Sequence, residues 1–576
     1  MNAALNPALT VRLPVWRARL LLLLVFGALV VLAARALYLQ GLRNDFLQQK
    51  GETRYARVIE MPAHRGMITD RSGEPLALST PVESVWASPA DVELTAEQRS
   101  RLARLLGLDP GELKRRLADD QKEFVYLKRQ LPPEQAAKVV QLNLPGIFLK
   151  REFRRYYPAA EVTAHVVGMT GVDDNGQEGI ELAYQDWLAG KAGSRRVIKD
   201  RLGRIVEDVE SIRAPQQGQA LALSIDQRVQ YLAFRELKAA IAEHQAKAGS
   251  IVVLDVASGE VLALANWPSY NPNNRDTLKA ARARNRAVVD LFEPGSTLKP
   301  FTVAAALEAG LVRPGSMIDT EGGRYAIGNR IIRDAHPEGI LTVAQVIQKS
   351  SNVGSAKMAL AMAPQKMWTL LSQVGFGAQP RVGFPGEASG RLRAYQTWKP
   401  IEQATMSYGH GISVSLLQLA RAYSVFATDG ELKPLTLVRR EEPVEGRRVV
   451  SPATAQSVRK MLEMVTQPGG TATRAQVAGF RVAGKTGTAH KLEGNGYAPD
   501  RYISSFVGFA PVSSPRLVIA VMIDEPSGKH YYGGEVAAPV FSNVMAGALR
   551  LLGIAPDASM DNVVPPGSAP LVREEV

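Results

Sequence analysis

The chain has no cysteine among its 576 residues. That one absence removes disulfides, thiolate nucleophiles, iron–sulfur clusters and cysteine zinc sites together, and it suits an oxidising compartment as well as a reducing one. Paired histidines are also missing. His64, His165, His244, His336, His410, His490 and His530 are scattered, with no His-x-x-x-His spacing, so no metal site is expected. Nor is charge of one sign gathered anywhere: the net +13 divides into +5 over residues 1–220 and +8 over the rest. A nucleic-acid binder would concentrate its excess in a stripe or tail, so nucleic acid is not an expected partner. Only one long apolar run occurs, which excludes a multi-span membrane protein. The 46% hydrophobic and 22% charged content is that of a folded globular chain, not a disordered or collagen-like one. No repeat of fixed period is present.

The single apolar run covers residues 20–34 and, after Arg35, continues through Ala36, Leu37, Tyr38 and Leu39. About 20 residues suffice to cross a ~30 Å hydrocarbon core as a helix. Arg12, Arg17 and Arg19 precede it, which puts the N-terminus in the cytoplasm and exports the remainder. Arg35 can snorkel to the outer interface beside Tyr38. A cleaved signal peptide would need a small-x-small site, where Arg35, Leu37, Tyr38 and Leu39 stand instead. The expectation is a cytoplasmic tail over 1–19 and a retained transmembrane anchor over 20–39.

Residues 40–215 mix short strand-like runs (55–62, 83–87) with charged helical stretches (96–106, 111–119, 133–142), as a platform would. A Pro, Gly and Gln segment over 212–220 reads as a linker. Beyond it come a strand-like run over 221–225, a helix over 226–243 that Asp226 can cap, and a hairpin of 250–255 and 261–265. Helical segments follow at 299–309, 342–349, 415–428 and 452–466, then strands at 502–509 and 517–524 and a last helix at 536–552. A sheet built from both ends of a 220–555 domain, with helices between, is an α+β layered architecture. The tail over 556–576, rich in Pro, Asp, Ser and Val, is expected to be disordered.

Two motifs claim the same lysine. Gly479-Phe-Arg-Val-Ala-Gly484-Lys485-Thr486 matches the phosphate-loop pattern, yet that mechanism needs a helix directly after the loop. Gly487-Thr488-Ala489-His490 and a polar, glycine-containing stretch follow instead. The other reading starts from Ser296-Thr297-Leu298-Lys299, an S-x-x-K sequence that opens a helical run. If the helix starts at the serine, Ser296 and Lys299 share one face a turn apart, and the amine can take the hydroxyl proton once burial and nearby positive charge keep it neutral. A second copy, Ser457-Val-Arg-Lys460, reads as a solvated helix face, and Ser269-Tyr-Asn271, between prolines, as a turn. What distinguishes Ser296 is company. Ser350-Ser351-Asn352 follows 54 residues later, and Lys485-Thr486-Gly487-Thr488 a further 133 residues after Asn352.

The ordered set S-x-x-K, S-x-N, K-T-G is the signature of penicillin-binding proteins and serine β-lactamases, and the chain resembles the class B penicillin-binding proteins over residues 20–555. Arg65-Gly66-Met-Ile-Thr-Asp70-Arg71-Ser-Gly73-Glu-Pro-Leu-Ala77, Arg154-Arg155-Tyr-Tyr-Pro158, Gly179-Ile-Glu181 and Asp200-Arg201-x-Gly203 are similar to that class's pedestal motifs. Tyr270-Asn-Pro-Asn-Asn274, Phe506-Val-Gly-Phe-Ala-Pro511 and Tyr532-Gly-Gly-Glu-Val-Ala-Ala-Pro-Val540 are most similar to the cell-division, FtsI-type branch, with the elongation-type paralogue as the near alternative. The resemblance implies an anchor, an elongated mixed pedestal (dimerisation-type) over 40–215 and a transpeptidase domain with an antiparallel sheet flanked by helices. It implies a single pass through the inner membrane with the bulk periplasmic, and no cofactor or metal.

The resemblance also implies roles. Ser296 is the acyl-accepting nucleophile and Lys299 its base; Ser350 relays a proton to the leaving amine and Asn352 orients the substrate amide. Lys485 supplies positive charge and, with Thr486, Gly487 and Thr488, forms the substrate-binding strand that receives the terminal carboxylate. Backbone N–H groups of Ser296 and Thr488 form an oxyanion hole. The implied reaction is septal peptidoglycan cross-linking of stem peptides ending in D-Ala-D-Ala, with β-lactam antibiotics as acylating inhibitors. The implied partners are a membrane glycan polymerase and other division proteins. Tyr408-Gly409-His410-Gly411 resembles a family segment near the cleft and reads equally as a glycine-rich turn. The pedestal's clustered bases, Arg151, Arg154 and Arg155, with Arg195, Arg196, Lys199, Arg201 and Arg204, read as solvated surface. The competing classes are a sensor that binds β-lactam or wall peptide without turnover, against which three intact motifs speak, and a β-lactamase, for which no water-activating residue is identified.

Overall fold

In the computed structural model, residues 14–38, 56–199, 205–275, 278–442, 444–494 and 496–565 are described. The anchor sequence forms one helix, Val15–Leu37, of 23 residues with no buried side chain. At 1.5 Å per residue it reaches about 34 Å, the thickness of a hydrocarbon core. It starts ahead of the expected span, taking in Arg17 and Arg19; Leu39 lies outside the described residues, as do Asp200, Arg201, Gly203 and Arg204.

The rest packs as two compact units. One combines 82–152 and 191–216 with residues up to 63. It holds a three-stranded antiparallel sheet of Ala56–Met61, Gly193–Lys199 and Ile205–Arg213. It also holds a small core in which Leu102, Leu106, Leu113, Leu127 and Val139 meet. The helix Ala96–Leu106 is set by its sequence ends: Thr95 and Gln98 form a capping box, and Gly107 closes it at a left-handed φ of 63°.

The second unit combines 64–81 and 153–190 with everything from 217 onward. The expected pedestal, 40–215, is thus divided between the two units. Elements of the second unit are numbered here along the chain. Its centre is an antiparallel sheet of β1 (Ala248–Asp255), β2 (Val261–Trp267), β3 (Ala483–Glu493), β4 (Gly496–Ala510) and β5 (Leu517–Asp524) in the order β2-β1-β5-β4-β3. Every residue of β5 is buried, and all of β1 but its last. Their unbroken apolar runs fit strands covered on both faces. Helices α1 (Gln227–Glu243) and α7 (Gly533–Leu551) pack together on the sheet, while α5 (Leu416–Ala427) packs on β1, β4 and β5 amid the helical insert. That insert includes α2 (Lys299–Glu308), α3 (Val343–Lys349), α4 (Asn352–Leu360) and α6 (Pro452–Thr466). Asp226 caps α1 through Arg228 N and Val229 N, as its sequence position predicts. The buried Gln230 fixes α1 to β2 by bonding both the N–H and the carbonyl of Leu264.

Two expectations are corrected here. Arg155, read as solvated surface, is 2% exposed. Its Nε lies 2.6 Å from Glu181 Oε1, and Arg65 Nε lies 2.7 Å from Glu181 Oε2, so three motifs remote in sequence meet at one buried carboxylate. A guanidinium is buried only when paired in this way. The expected disorder after 555 is also displaced: residues 556–565 lie along the approach to β3. Asp557 accepts from Arg481 N at 2.7 Å, Asn562 accepts from Gly479 N at 3.1 Å, and Val564 N donates to Gln476. Side-chain carboxylate and amide groups that satisfy a loop's backbone order the tail where its composition suggested none. Residues 566–576 lie outside the described residues.

Beside the Arg65–Glu181–Arg155 network sits Asp174, whose Oδ1 has no hydrogen-bond partner among the described residues. Burial pushes its carboxyl up to about 6 against the pull of Arg65 and Arg155. The folded state therefore holds this proton more tightly than the unfolded chain. The favourable contribution is complete below about pH 4 and is lost as pH rises through about 6. Asn tolerates the left-handed φ of 60° found at this position. Asp174→Asn is expected to raise unfolding stability by roughly 1–3 kcal/mol at neutral pH, and to bring no gain below about pH 4. Urea unfolding at the two pH values measures the difference.

Candidate active site

Ser296 lies in a 3₁₀ turn, Gly295–Leu298, that runs directly into α2. In a 3₁₀ turn residues i and i+3 eclipse, so the S-x-x-K spacing stacks the two side chains. Lys299 Nζ stands 2.6 Å from Ser296 Oγ. The proximity expected of an α-helical start is thus delivered by a tighter turn. Thr297 secures it from both sides: its hydroxyl donates to Pro294 O at 2.7 Å, and its carbonyl accepts from Tyr423 OH of α5 at 2.7 Å.

The second wall is the junction of α3 and α4. Ser350 ends α3 in a left-handed conformation with φ 63°, a cost of about 1 kcal/mol for a residue bearing a Cβ. The strain turns both of its oxygens toward Lys299 Nζ, the carbonyl at 2.7 Å and Oγ at 3.0 Å. Ser351 then caps α4 through Gly354 N. Asp334 braces this start, accepting from Ser351 Oγ at 2.6 Å and Val353 N at 2.9 Å. Asn352, in the first turn of α4, donates from Nδ2 to Arg333 O at 3.1 Å.

The third wall is β3. Lys485 Nζ stands 2.9 Å from Ser350 Oγ, which completes a continuous path Ser296, Lys299, Ser350, Lys485. Both lysines are fully buried. Two amines meeting at one hydroxyl in a dry pocket disfavour double protonation. Thr486 Oγ1 is 2.8 Å from Thr471 Oγ1, and Thr488 Oγ1 accepts from Gly533 N at 2.9 Å. Gly487 is required by close approach: a Cβ would lie 2.8 Å from Thr297 Cγ2 and 2.9 Å from Pro294 O. Gly533 at the start of α7 is equally confined, with a Cβ 2.6 Å from Gly487 O. The strand continues straight through Gly484, Lys485 and Thr486 to Glu493, and this excludes a phosphate loop.

Next to the serine turn, Glu293 accepts from Gly411 N at 2.8 Å and Tyr497 OH at 2.9 Å, with His410 Nδ1 3.2 Å away. Burial alone would raise its carboxyl, but these bonds hold it below the usual carboxylate range. Tyr497 is pushed up by burial and by the Glu293 charge. Gly409, with φ 95°, packs flat on Gly295: a Cβ there would lie 2.1 Å from Gly295 O. So the segment 408–411 buttresses the turn that carries Ser296.

The structure brings Ser296, Lys299, Ser350, Asn352, Lys485, Thr486, Gly487 and Thr488 to one cleft. It leaves the second S-x-x-K outside, with Lys460 exposed on α6. Ser269 Oγ donates to Glu161 O at 2.8 Å, as a turn residue would. Among the described residues no three His, Asp or Glu side chains group as a metal site requires. Sequence reasoning passed over Thr471 and Tyr497, which carry no signal, and gave no role to Glu293, directly before Pro294 and Gly295, or to Gly533, within the segment at 532–540.

Residues 249–546 match the family described as penicillin binding protein transpeptidase domain, and residues 60–223 match the penicillin-binding protein dimerisation domain. The chain is 44% identical over 529 residues to a probable peptidoglycan D,D-transpeptidase, PenA, of Neisseria gonorrhoeae, with 91% of each chain covered. It is 44% identical over 549 residues to the peptidoglycan D,D-transpeptidase FtsI of Escherichia coli, covering 94% of this chain and 93% of that one. Among solved structures, the apo transpeptidase domain of Burkholderia pseudomallei penicillin-binding protein 3 is 48% identical with a TM-score of 0.54, covering 58% of this chain and 97% of that one.

Gly409→Ala is expected to push the Gly295–Leu298 turn away from Lys299 and slow acylation of Ser296 about 100-fold, the scale of a 1 Å misplacement. Gly310→Ala is the control, because Gly310 also has a positive φ (69°) but has no atom within 4 Å of an added Cβ. It is expected to lower stability alone. Acylation rates by a small β-lactam, followed by mass spectrometry beside thermal unfolding, separate the two effects.

Proposed function

Because the chain belongs to the penicillin-binding protein transpeptidase family and is a peptidoglycan D,D-transpeptidase, we propose that Ser296 carries its acyl-enzyme and that the enzyme works at the division septum. The observation that carries the assignment is the unbroken path from Ser296 Oγ through Lys299 and Ser350 to Lys485, each step 3.0 Å or less.

In the first half-reaction Ser296 Oγ attacks the carbonyl of the penultimate D-Ala while Lys299, neutral, takes the hydroxyl proton. The negative oxygen that forms sits between the backbone N–H groups of Ser296 and Thr488; Gly295 and Thr488 run alongside each other, so close that a Cβ added at Gly295 would lie 3.2 Å from Thr488 O. Each such donor is commonly worth about 3 kcal/mol in the transition state. The proton passes from Lys299 by way of Ser350 Oγ to the departing nitrogen, and D-Ala leaves as the C–N bond breaks. Lys485, Thr486 and Thr488 receive its carboxylate, and Asn352 orients the substrate amide. In the second half an amine of a neighbouring stem attacks the ester, losing its proton along the same path; the new amide is the cross-link and Ser296 is restored. A β-lactam acylates Ser296 likewise and keeps its leaving nitrogen tethered.

The septal assignment is supported by the 44% identity to FtsI and by the segments at 270–274, 506–511 and 532–540. The helix Val15–Leu37, with Arg17 and Arg19 near its start, serves as a single-pass anchor in the inner membrane, N-terminus cytoplasmic and bulk periplasmic. A membrane glycan polymerase and other division proteins are the proposed partners on family likeness.

A fluorescent penicillin is expected to label the exported part, residues 40–576, and its Ser457→Ala variant equally. It is expected to leave a folded Ser296→Ala variant unlabelled. Labelling that survives in Ser296→Ala would overturn the nucleophile assignment.

A further inference from the structure

A cavity of about 550 Å³ opens beside the catalytic cleft, lined by Arg333, Asn352, Arg393, Tyr408, His410 and Tyr497 among others. Its volume falls within the ~300–1,000 Å³ usual for ligand sites. Two features make it continuous with the reaction centre: Asn352 belongs to both, and the 409–411 loop on its rim packs against Gly295, the neighbour of Ser296. A substrate whose amide is held by Asn352 has this groove directly beside it.

The groove's charges are unequally matched. Arg393 Nη1 is held by Glu402 Oε1 at 2.8 Å, and Glu293 is engaged by His410, Gly411 and Tyr497. Arg333 is different. It ends the second strand of the hairpin Arg324–Ile327 and Arg330–Arg333, and its side chain is exposed. Among the described residues its guanidinium has no hydrogen-bond or ion-pair partner. Its backbone is nevertheless fixed, because Arg333 O accepts from Asn352 Nδ2 and the next residue, Asp334, braces the start of α4 through Ser351 Oγ and Val353 N. An unmatched guanidinium on a fixed backbone next to Asn352 suits a carboxylate, since its fork donates two parallel N–H bonds to that anion. Half-exposed Ile331 and Tyr497 supply apolar contact along the way.

We propose that Arg333 determines specificity by binding a carboxylate carried by the donor stem peptide on the residue preceding the reacting D-Ala-D-Ala. The proposal rests on the D,D-transpeptidase reading above, and makes the preferred donor an acidic peptide. Arg333 touches no reacting atom and acts through substrate position and affinity.

The test uses two synthetic donors ending in D-Ala-D-Ala, identical except that the preceding residue carries a side-chain carboxylate or its amide. Release of D-Ala by the membrane-anchored, full-length protein is followed for each, and kcat/KM is compared as a ratio. Wild type is expected to favour the carboxylate donor about tenfold, the scale of one charge-assisted hydrogen bond. The ratio is expected to fall to about one in Arg333→Gln, to recover in part in Arg333→Lys and to invert in Arg333→Glu, with the change mainly in KM. Arg330→Gln, on the same hairpin but outside the cavity lining, is expected to keep the wild-type ratio. A wild type without carboxylate preference, or an Arg333→Gln that slows both donors equally, overturns the proposal. Penicillin acylation of Ser296 in the same wild-type preparation separates the failures. If neither penicillin nor either donor reacts, the transpeptidase reading falls; if penicillin reacts but the donors are not distinguished, only the role of Arg333 does.

Discussion

The hydroxyl of Ser350 is shared by two buried lysines, and the fold is arranged to keep it so. Lys299 reaches it from the helical insert and Lys485 from the edge strand of the sheet, and neither chain segment could place its amine there alone. Ser350 sits on a third segment, twisted into a left-handed turn to offer two oxygens at once. Two buried amines at one hydroxyl repel when both are charged, so protonation of one disfavours protonation of the other. Because the groups are dry, the effect is not diluted by solvent.

Glycines enforce this convergence from the outside. Gly487 lets β3 touch the serine turn, Gly533 lets α7 touch β3, and Gly409 lets the 408–411 segment lie on Gly295. At each of these points two backbones meet with no room for a side chain. The placement of the Ser296 turn against β3 is therefore set by main-chain contact.

Motif chemistry could be read in the sequence wherever the geometry is local. S-x-x-K needs only a tight turn to pair its ends, and the capping boxes and the Asp226 cap are likewise decided within four residues. The apolar runs of β1 and β5 announced buried strands for the same reason. What resisted reading was pairing over distance. Nothing around Arg155 signals that Glu181 will neutralise it, or that Arg65, on the other side of the carboxylate, shares the burden. The tail at 556–565 looked unstructured because its partners, Gln476, Gly479 and Arg481, are backbone and side-chain groups of a loop some eighty residues earlier. Tyr497 and Arg333 carry no motif at all, and only their convergence around Asn352 and Glu293 gives them meaning.

The strand order β2-β1-β5-β4-β3 has a bearing on how the enzyme comes into being. Strand β1 pairs with β5, Asp255 opposite Leu517, so the sheet cannot close until nearly the whole polypeptide has emerged. Contacts of such sequence separation form slowly. Until then Ser296 and Lys299 can occupy their turn without Lys485 beside them. The hydroxyl of Ser350 thus gains its second amine only once the strands that close the sheet have paired.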